Sequence, residues 1–288
     1  MSTRLVQHVV MLASAIGERN LWHYRELTAA ARYISDCLQS SGYTVSEQPF
    51  RVQGKSVVNL EATRHGSTRE REIVVLGAHY DSVLGSPGAN DNATGVAALI
   101  EIARSLADRE TARTVRFAAF VNEEPPFHRT HHMGSWVYAQ RARRRGDAIV
   151  AMLSLETLGY YSDQEGSQRY PFPFAFFYPS TGNFIGFVGN LKSSGLVRRT
   201  VTSFRAHARF PSEGSAAPGW LPGIGWSDHW AFWKHGYPAI MITDTALFRY
   251  WQYHTSADRP EVVDYDRFTR VVSGLTHVVI DLADAAVP

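Results

Sequence analysis

Two histidines and a set of acidic side chains stand in this chain at spacings that suit metal chemistry. Gly77-Ala78-His79-Tyr80-Asp81-Ser82 follows an apolar run, and Ala89-Asn90-Asp91-Asn92 comes twelve residues after His79. Asn122-Glu123-Glu124-Pro125, Leu155-Glu156-Thr157 and Tyr253-His254-Thr255 complete the set. Four carboxylates brought to one crevice would raise one another's pKa or force protonation, and divalent cations remove that penalty. With Asp91, Glu124 and Glu156 as ligands beside one hydroxide, the negative charge balances two dications and leaves Glu123 free for proton work. Imidazole nitrogen mixed with carboxylate oxygen favours zinc over magnesium or calcium, with manganese or cobalt as substitutes. The expected arrangement puts His79, Asp91 and Glu156 on one ion and Asp91, Glu124 and His254 on the other, with Asp91 bridging. Such ions bring the pKa of water down to roughly 7, so that Glu123 takes its proton and passes it to a leaving amine. Asp81 is expected to accept a hydrogen bond from the free N–H of His79, and Tyr253 to donate to a developing oxyanion.

The elements that must carry these residues are legible from periodicity. Apolar residues at helical spacing predict helices over about 3–16 and 22–41, the second stopped by Gly42. Strands are predicted over 44–50, 57–62, 72–77, 115–121, 148–155 and 239–243. Helices are predicted over 93–107, 134–145 and 264–285, with a helix-rich stretch over 182–207. This alternation predicts a three-layer α/β/α sandwich on a mixed, mostly parallel sheet, read as a single catalytic domain over residues 1–288 with the helices of 1–42 packed on it. In such sheets ligands bind beyond the carboxyl ends of the strands, which is where the four loops bearing the acids and histidines fall.

In these pieces, together with Gly88-Ala89-Asn90-Asp91-Asn92-Ala93-Thr94-Gly95 and Ser227-Asp228-His229, the chain resembles metallopeptidase family twenty-eight. That family includes bacterial zinc aminopeptidases, glutamate carboxypeptidases and the related glutaminyl cyclases. The likeness runs from about Arg19 to Ala283. It implies a two-zinc site with the ligand and base roles above, and an exopeptidase that removes one residue from the end of a small peptide. One position departs: the third-loop ligand is usually Asp in the family, where it also helps to hold a free α-amine, and Glu156 reaches one methylene further. Tyr253 resembles the peptidases, since the cyclases tend to carry Trp there and bind one zinc. Aminopeptidase activity is the first expectation; a glutaminyl cyclase-like aminoacyl transfer, or dipeptidase or carboxypeptidase action, is the alternative.

Other residues carry weaker signals. Asp228 lies in a Trp-rich segment (Trp226, Trp230, Trp233) and is expected to support the site, either buried and bonded to His229 or touching substrate. Arg249 and Tyr250 precede His254 closely enough to reach the crevice, where a guanidinium would grip a substrate carboxylate; Tyr160 and Trp226 are further candidate substrate contacts. Alternation over Phe172, Phe174, Phe176, Phe177 and Tyr178 predicts a core strand rather than a specificity pocket. His128, His131 and His132 follow the Glu pair in a loop, where a surface or packing role is expected ahead of an additional metal or a lid. Arg141, Arg143, Arg144 and Arg145 suit a solvated helix end rather than a nucleic-acid patch. The chain has 288 residues, 44% hydrophobic, with 29 Lys and Arg against 27 Asp and Glu, so the net charge of +2 supplies no global field toward nucleic acid or an anionic membrane. Cys37 is the only cysteine, which excludes an internal disulfide and a Cys-based metal site. The N-terminal residues lack a clean signal-peptide core, and the expected compartment is the cytoplasm.

Overall fold

The computed structural model describes residues 1–284. In chain order the helices are α1 (Ser2–Val10, continued by a wider turn over Met11–Ile16), α2 (Tyr24–Ser40), α3 (Gly95–Leu106), α4 (Gly134–Arg145), α5 (Ser194–His207), α6 (His229–Lys234) and α7 (Tyr265–Asp284). The strands are β1 (Val45–Val52), β2 (Lys55–Arg64), β3 (Arg69–His79), β4 (Arg113–Phe120), β5 (Ala148–Glu156), β6 (Ile185–Gly189), β7 (Ser212–Ala216) and β8 (Ala239–Thr243). They form one sheet in the order β1-β2-β4-β3-β5-β8-β6-β7. The central strands β4, β3, β5 and β8 are mutually parallel, while β2 against β4 and β6 against β8 run antiparallel. The predicted α/β/α sandwich with a mixed sheet is therefore the fold observed.

Period-two alternation sorts the central strands between two faces. Val74, Leu76, Val115 and Phe117 join the core with α1, α2, α3, α5 and α7; Ile73, Val75, Ala118, Phe120 and Met152 pack against Tyr138, Ala139 and Ala142 of α4 and Phe232 of α6. Both faces are covered, which is why these strands read as continuous apolar runs. Arg4 of α1 donates to the buried Glu101 of α3 at 3.0 Å, and Arg104 joins it. Burial works to raise the Glu101 carboxyl, but His8, Arg104 and Arg4 outweigh it and hold it at about 2. No helix among the described residues is long and apolar enough to cross a membrane.

Two expectations are corrected and one strand was not foreseen. The stretch 182–207 is not wholly helical, because Ile185–Gly189 enters the sheet as β6 before α5 begins. β7 escapes sequence reading altogether: Ser-Glu-Gly-Ser-Ala carries no β-branched or aromatic residue, and tertiary pairing with β6 alone makes it a strand. The aromatic stretch is no strand but a loop with one tight turn at Phe174–Phe176, and Phe172, Phe176 and Phe177 are exposed. Pro171 and Pro173 deny it ladder donors. The helix predicted to residue 285 is seen to Asp284; residue 285 lies outside the described residues.

Candidate metal centre and active site

The four parallel strands deliver their carboxyl ends to one crevice. β3 ends on His79, β4 leads through Asn122 into Glu123 and Glu124, β5 ends on Glu156, and the loop after β8 supplies His254. Asp91 sits in the irregular turn before α3, with non-helical φ −111° and ψ 91°. Asn122, Thr157 and His254, three of the six non-glycine residues with positive φ among the described residues, lie at or beside these side chains.

The result is two triads sharing one residue. His79 Nε2 lies 3.3 Å from Asp91 Oδ1 and 3.3 Å from Glu156 Oε2, while His254 Nε2 lies 3.1 Å from Asp91 Oδ2 and 3.1 Å from Glu124 Oε2. Each oxygen of Asp91 thus belongs to a different triad, and each triad offers three donor atoms within 4.8 Å of one another. His79 Nε2, both Asp91 oxygens, Glu124 Oε1 and His254 Nε2 are buried without a hydrogen-bond partner. Buried polar atoms are normally satisfied, so five unsatisfied ones converging on one spot ask for ions.

The electrostatics agree. Burial, with Asp91 adding to it, pushes Glu124 well up, and burial drives Glu156 up to about 7 against the pull of His79. His254 rises to about 11 because Asp91 and Glu124 outweigh its burial, and Asp91 sits far below the carboxylate range because the two histidines overcome its own burial. Protonated Glu and charged imidazole are the forms that cannot ligate; dications would reverse both. These residues therefore fit zinc, and carboxylate with imidazole is its ordinary donor set.

Backbone anchors hold the crevice open. The amides of Glu123 and Glu124 both donate to the Asp81 carboxylate at 3.1 Å. Asp81 therefore does more than was expected of it. Its backbone carbonyl lies 3.2 Å from His79 Nδ1, whereas its carboxylate is 3.5 Å from that nitrogen and is committed to the next loop. Asp258, unmarked in the sequence, does the same for the bridging residue, accepting the amides of Asn90 at 2.8 Å and Asp91 at 3.0 Å. The Asn92 side chain ties the Leu155 carbonyl to the amides of Gly95 and Thr157. No local spacing announces Asp258, because its partners lie far back in the chain. Asp228 is fully buried but does not pair with His229, whose Nε2 lies 2.8 Å from the Ile224 carbonyl; both Asp228 oxygens lack a hydrogen-bond partner, and burial pushes its carboxyl well up. Ser227 beside it donates to Glu156 Oε2 at 2.7 Å.

Glu123 divides its two oxygens. Oε1 lies 2.9 Å from His128 Nδ1, and Oε2 faces His79 at 4.0 Å, toward the triads. His128 thus touches the candidate base rather than an additional metal, and it lies in neither of the metal-competent groups found among the described residues. Tyr253 stacks on His254 with ring centres 3.9 Å apart; burial, then Asp91, keeps its hydroxyl protonated far above neutral pH, as a donor must be. Next to Glu156 and Tyr253 opens an apolar pocket lined by Phe174, Phe184, Val188, Trp226, Met241 and Phe248, among others. Trp226 therefore stands where a substrate contact is expected. Arg249 does not: it is buried between the rings of Phe184 and Tyr161 and bonds Gln168 Oε1 at 2.9 Å and the Tyr160 carbonyl at 3.1 Å. The loop after β8 folds back on the 160–168 segment and engages Nε and Nη1 of the guanidinium there, leaving the buried Nη2 without a hydrogen-bond partner. Tyr160 stacks on Tyr250 at 4.6 Å, outside the pocket lining.

Comparison with known proteins places the chain in a family. The uncharacterized protein YfbL of Escherichia coli strain K12 is 36% identical over 281 residues, which cover 94% of this chain and 85% of that protein. A probable zinc metalloprotease of Leptosphaeria maculans is 28% identical over 217 residues, 69% of this chain, which spans about half (48%) of that relative. Among solved structures, BSAP, a zinc aminopeptidase from Bacillus subtilis, superposes with TM-score 0.77 at 15% identity, over 99% of this chain and 95% of that one. A Porphyromonas gingivalis glutaminyl cyclase gives 0.73 at 17%, over 98% of each. The model of peptidase family M28 matches residues 57–279, which take in most of the sheet, both histidines and all four carboxylates of the crevice, and this chain belongs to that family of metallopeptidases.

Proposed function

We propose that this metallopeptidase is an aminopeptidase using two zinc ions, one held by His79, Asp91 and Glu156 and the other by Asp91, Glu124 and His254. The observation that carries the reading is the pair of triads sharing Asp91, one carboxylate oxygen to each. When bound, the ions supply Lewis acidity to the scissile carbonyl and to the attacking water. Glu123 then takes a proton from that water through Oε2 and delivers it to the leaving amine, while His128 holds Oε1. Tyr253, kept protonated, donates to the oxyanion. The apolar pocket beside Glu156 takes the side chain of the terminal residue.

A carboxy-terminal reading needs a cation free to grip a carboxylate, and Arg249, the residue placed nearest in sequence, is engaged inside the protein. The cyclase reading shares the fold, and Tyr253 speaks against it. Metal analysis of the purified protein is expected to give two equivalents of zinc, falling in Asp91→Ala, together with hydrolysis of amino acid 4-nitroanilides. Bound zinc with no hydrolysis across free-N-terminus peptides, or loss of ammonia from an N-terminal Gln peptide without cleavage, rejects the proposal.

A further inference from the structure

We infer that the side-chain pocket is built for a cationic end, with Glu213 as the residue that selects Lys and Arg at the amino terminus; the inference rests on the aminopeptidase reading above. The sheet itself lays out the geometry. Glu156 of β5 is the register partner of Thr243 on β8, Thr243 of Gly186 on β6, and Gly186 of Glu213 on β7. Residues opposite one another in register share a face. One row of the sheet therefore runs from the metal-side carboxylate to a second carboxylate, and all four of its residues line the same pocket.

Three strand spacings of about 4.8 Å separate the ends of that row, roughly 14 Å. An extended lysine spans about 7.5 Å from its α-nitrogen to Nζ by standard bond lengths, and a polar contact of about 2.9 Å at either end brings the total to roughly 13 Å. Arginine, one bond longer, fits as well. A norleucine side chain ends one atom short of the lysine nitrogen and a leucine side chain two, and neither has anything to offer a carboxylate.

The lining between the two ends suits such a stem. Val188 and Met241 floor the pocket beside the row, and Phe174, Tyr170 and Phe248 wall it, an apolar path along which methylenes lie while the charged head reaches polar ground. Gly186 keeps the middle of the row open: a Cβ there would point at Thr243 and Thr245 at 3.3–3.4 Å, in the space the stem would cross. Glu213 is half-buried, and among the described residues it makes no hydrogen bond or ion pair; the nearby Tyr178 hydroxyl donates to the Gly214 carbonyl instead. A carboxylate left unengaged at the far wall of an apolar pocket is an acceptor for a ligand cation.

The test compares 4-nitroanilides of lysine with norleucine, and of arginine with its neutral isostere citrulline, on the zinc-loaded enzyme. In the wild type each cation is expected to lead its neutral counterpart by about tenfold in kcat/KM, citrulline being a true isostere and norleucine one atom shorter than lysine. In Glu213→Gln both ratios should close to within about threefold, and each ratio is internal to one preparation, so partial loss of folded enzyme cancels. Gly186→Val should lower turnover of the lysine and norleucine substrates more than that of the alanine one. Neutral counterparts that match or beat the cations in the wild type, or a cation preference that survives Glu213→Gln, overturn the inference while leaving the aminopeptidase reading in place. No hydrolysis of any of these anilides removes that reading and this one with it.

Discussion

The metal crevice and the side-chain pocket meet at Glu156 and Tyr253, yet they are built in opposite ways. The crevice sits on the ends of four central parallel strands, its side chains buried except for the half-buried His254, and two carboxylates outside the ligand set, Asp81 and Asp258, tie down the backbone of its loops. The pocket lies over the outer strands β6 and β7 and is roofed by the long connection between β5 and β6, where Phe172, Phe176 and Phe177 project into solvent. Chemistry at fixed points needs ligands held by packing and by supporting hydrogen bonds. Side-chain selection tolerates a wall made of loop, and such loops vary without unfolding the scaffold.

Substitutions at the two regions should diverge accordingly. The largest effect belongs to Glu123→Gln: kcat should fall by about 10²–10⁴ with zinc content and thermal midpoint retained. Activity within tenfold of the parent would take Glu123 out of the proton path. Next comes Asp81→Asn, which turns a donor toward backbone amides that now meet a carboxylate; a loss of about 1–3 kcal/mol in denaturant unfolding is expected, and a neutral result would mean the crevice is not held from behind in this way.

A smaller effect is expected where the crevice reaches the surface, at His128. Burial lowers its imidazole, but Glu123 more than compensates and raises it. A raised imidazole stabilises the fold most fully below its unfolded value, near 6.5, and that contribution fades as pH climbs through the folded value. The stability difference between the parent and His128→Gln should therefore shrink from pH 6 to pH 9, and a difference constant with pH would dissolve the pair. The smallest change falls on the roof. Phe177→Ser should shift unfolding by no more than about 0.5 kcal/mol, since the ring is exposed; a larger loss would show that the roof is packed as firmly as the crevice.

Much of the crevice could be read beforehand because its residues close or follow strands, and buried strands announce themselves as short apolar runs ending in a loop. His79, Glu124 and Glu156 stand one to four residues beyond such runs. The reading failed where the signal was not local. β7 has no strand-forming residue, Pro171 and Pro173 broke an alternation that looked like a strand, and Arg249 turned inward because Gln168 and the Tyr160 carbonyl were waiting for it.

By itself the sequence settled which side chains would be delivered to the sheet's carboxyl edge, since periodicity and the placing of acids after apolar runs are properties of neighbours along the chain. Only the folded chain decided that Asp258 would hold Asn90 and Asp91, that the Asp81 carboxylate would also serve Glu123 and Glu124, and that Glu156 and Glu213 would share a row across four strands. Those contacts join residues tens to hundreds of positions apart. Their partners are chosen by strand order and register, quantities set by packing the whole sheet at once.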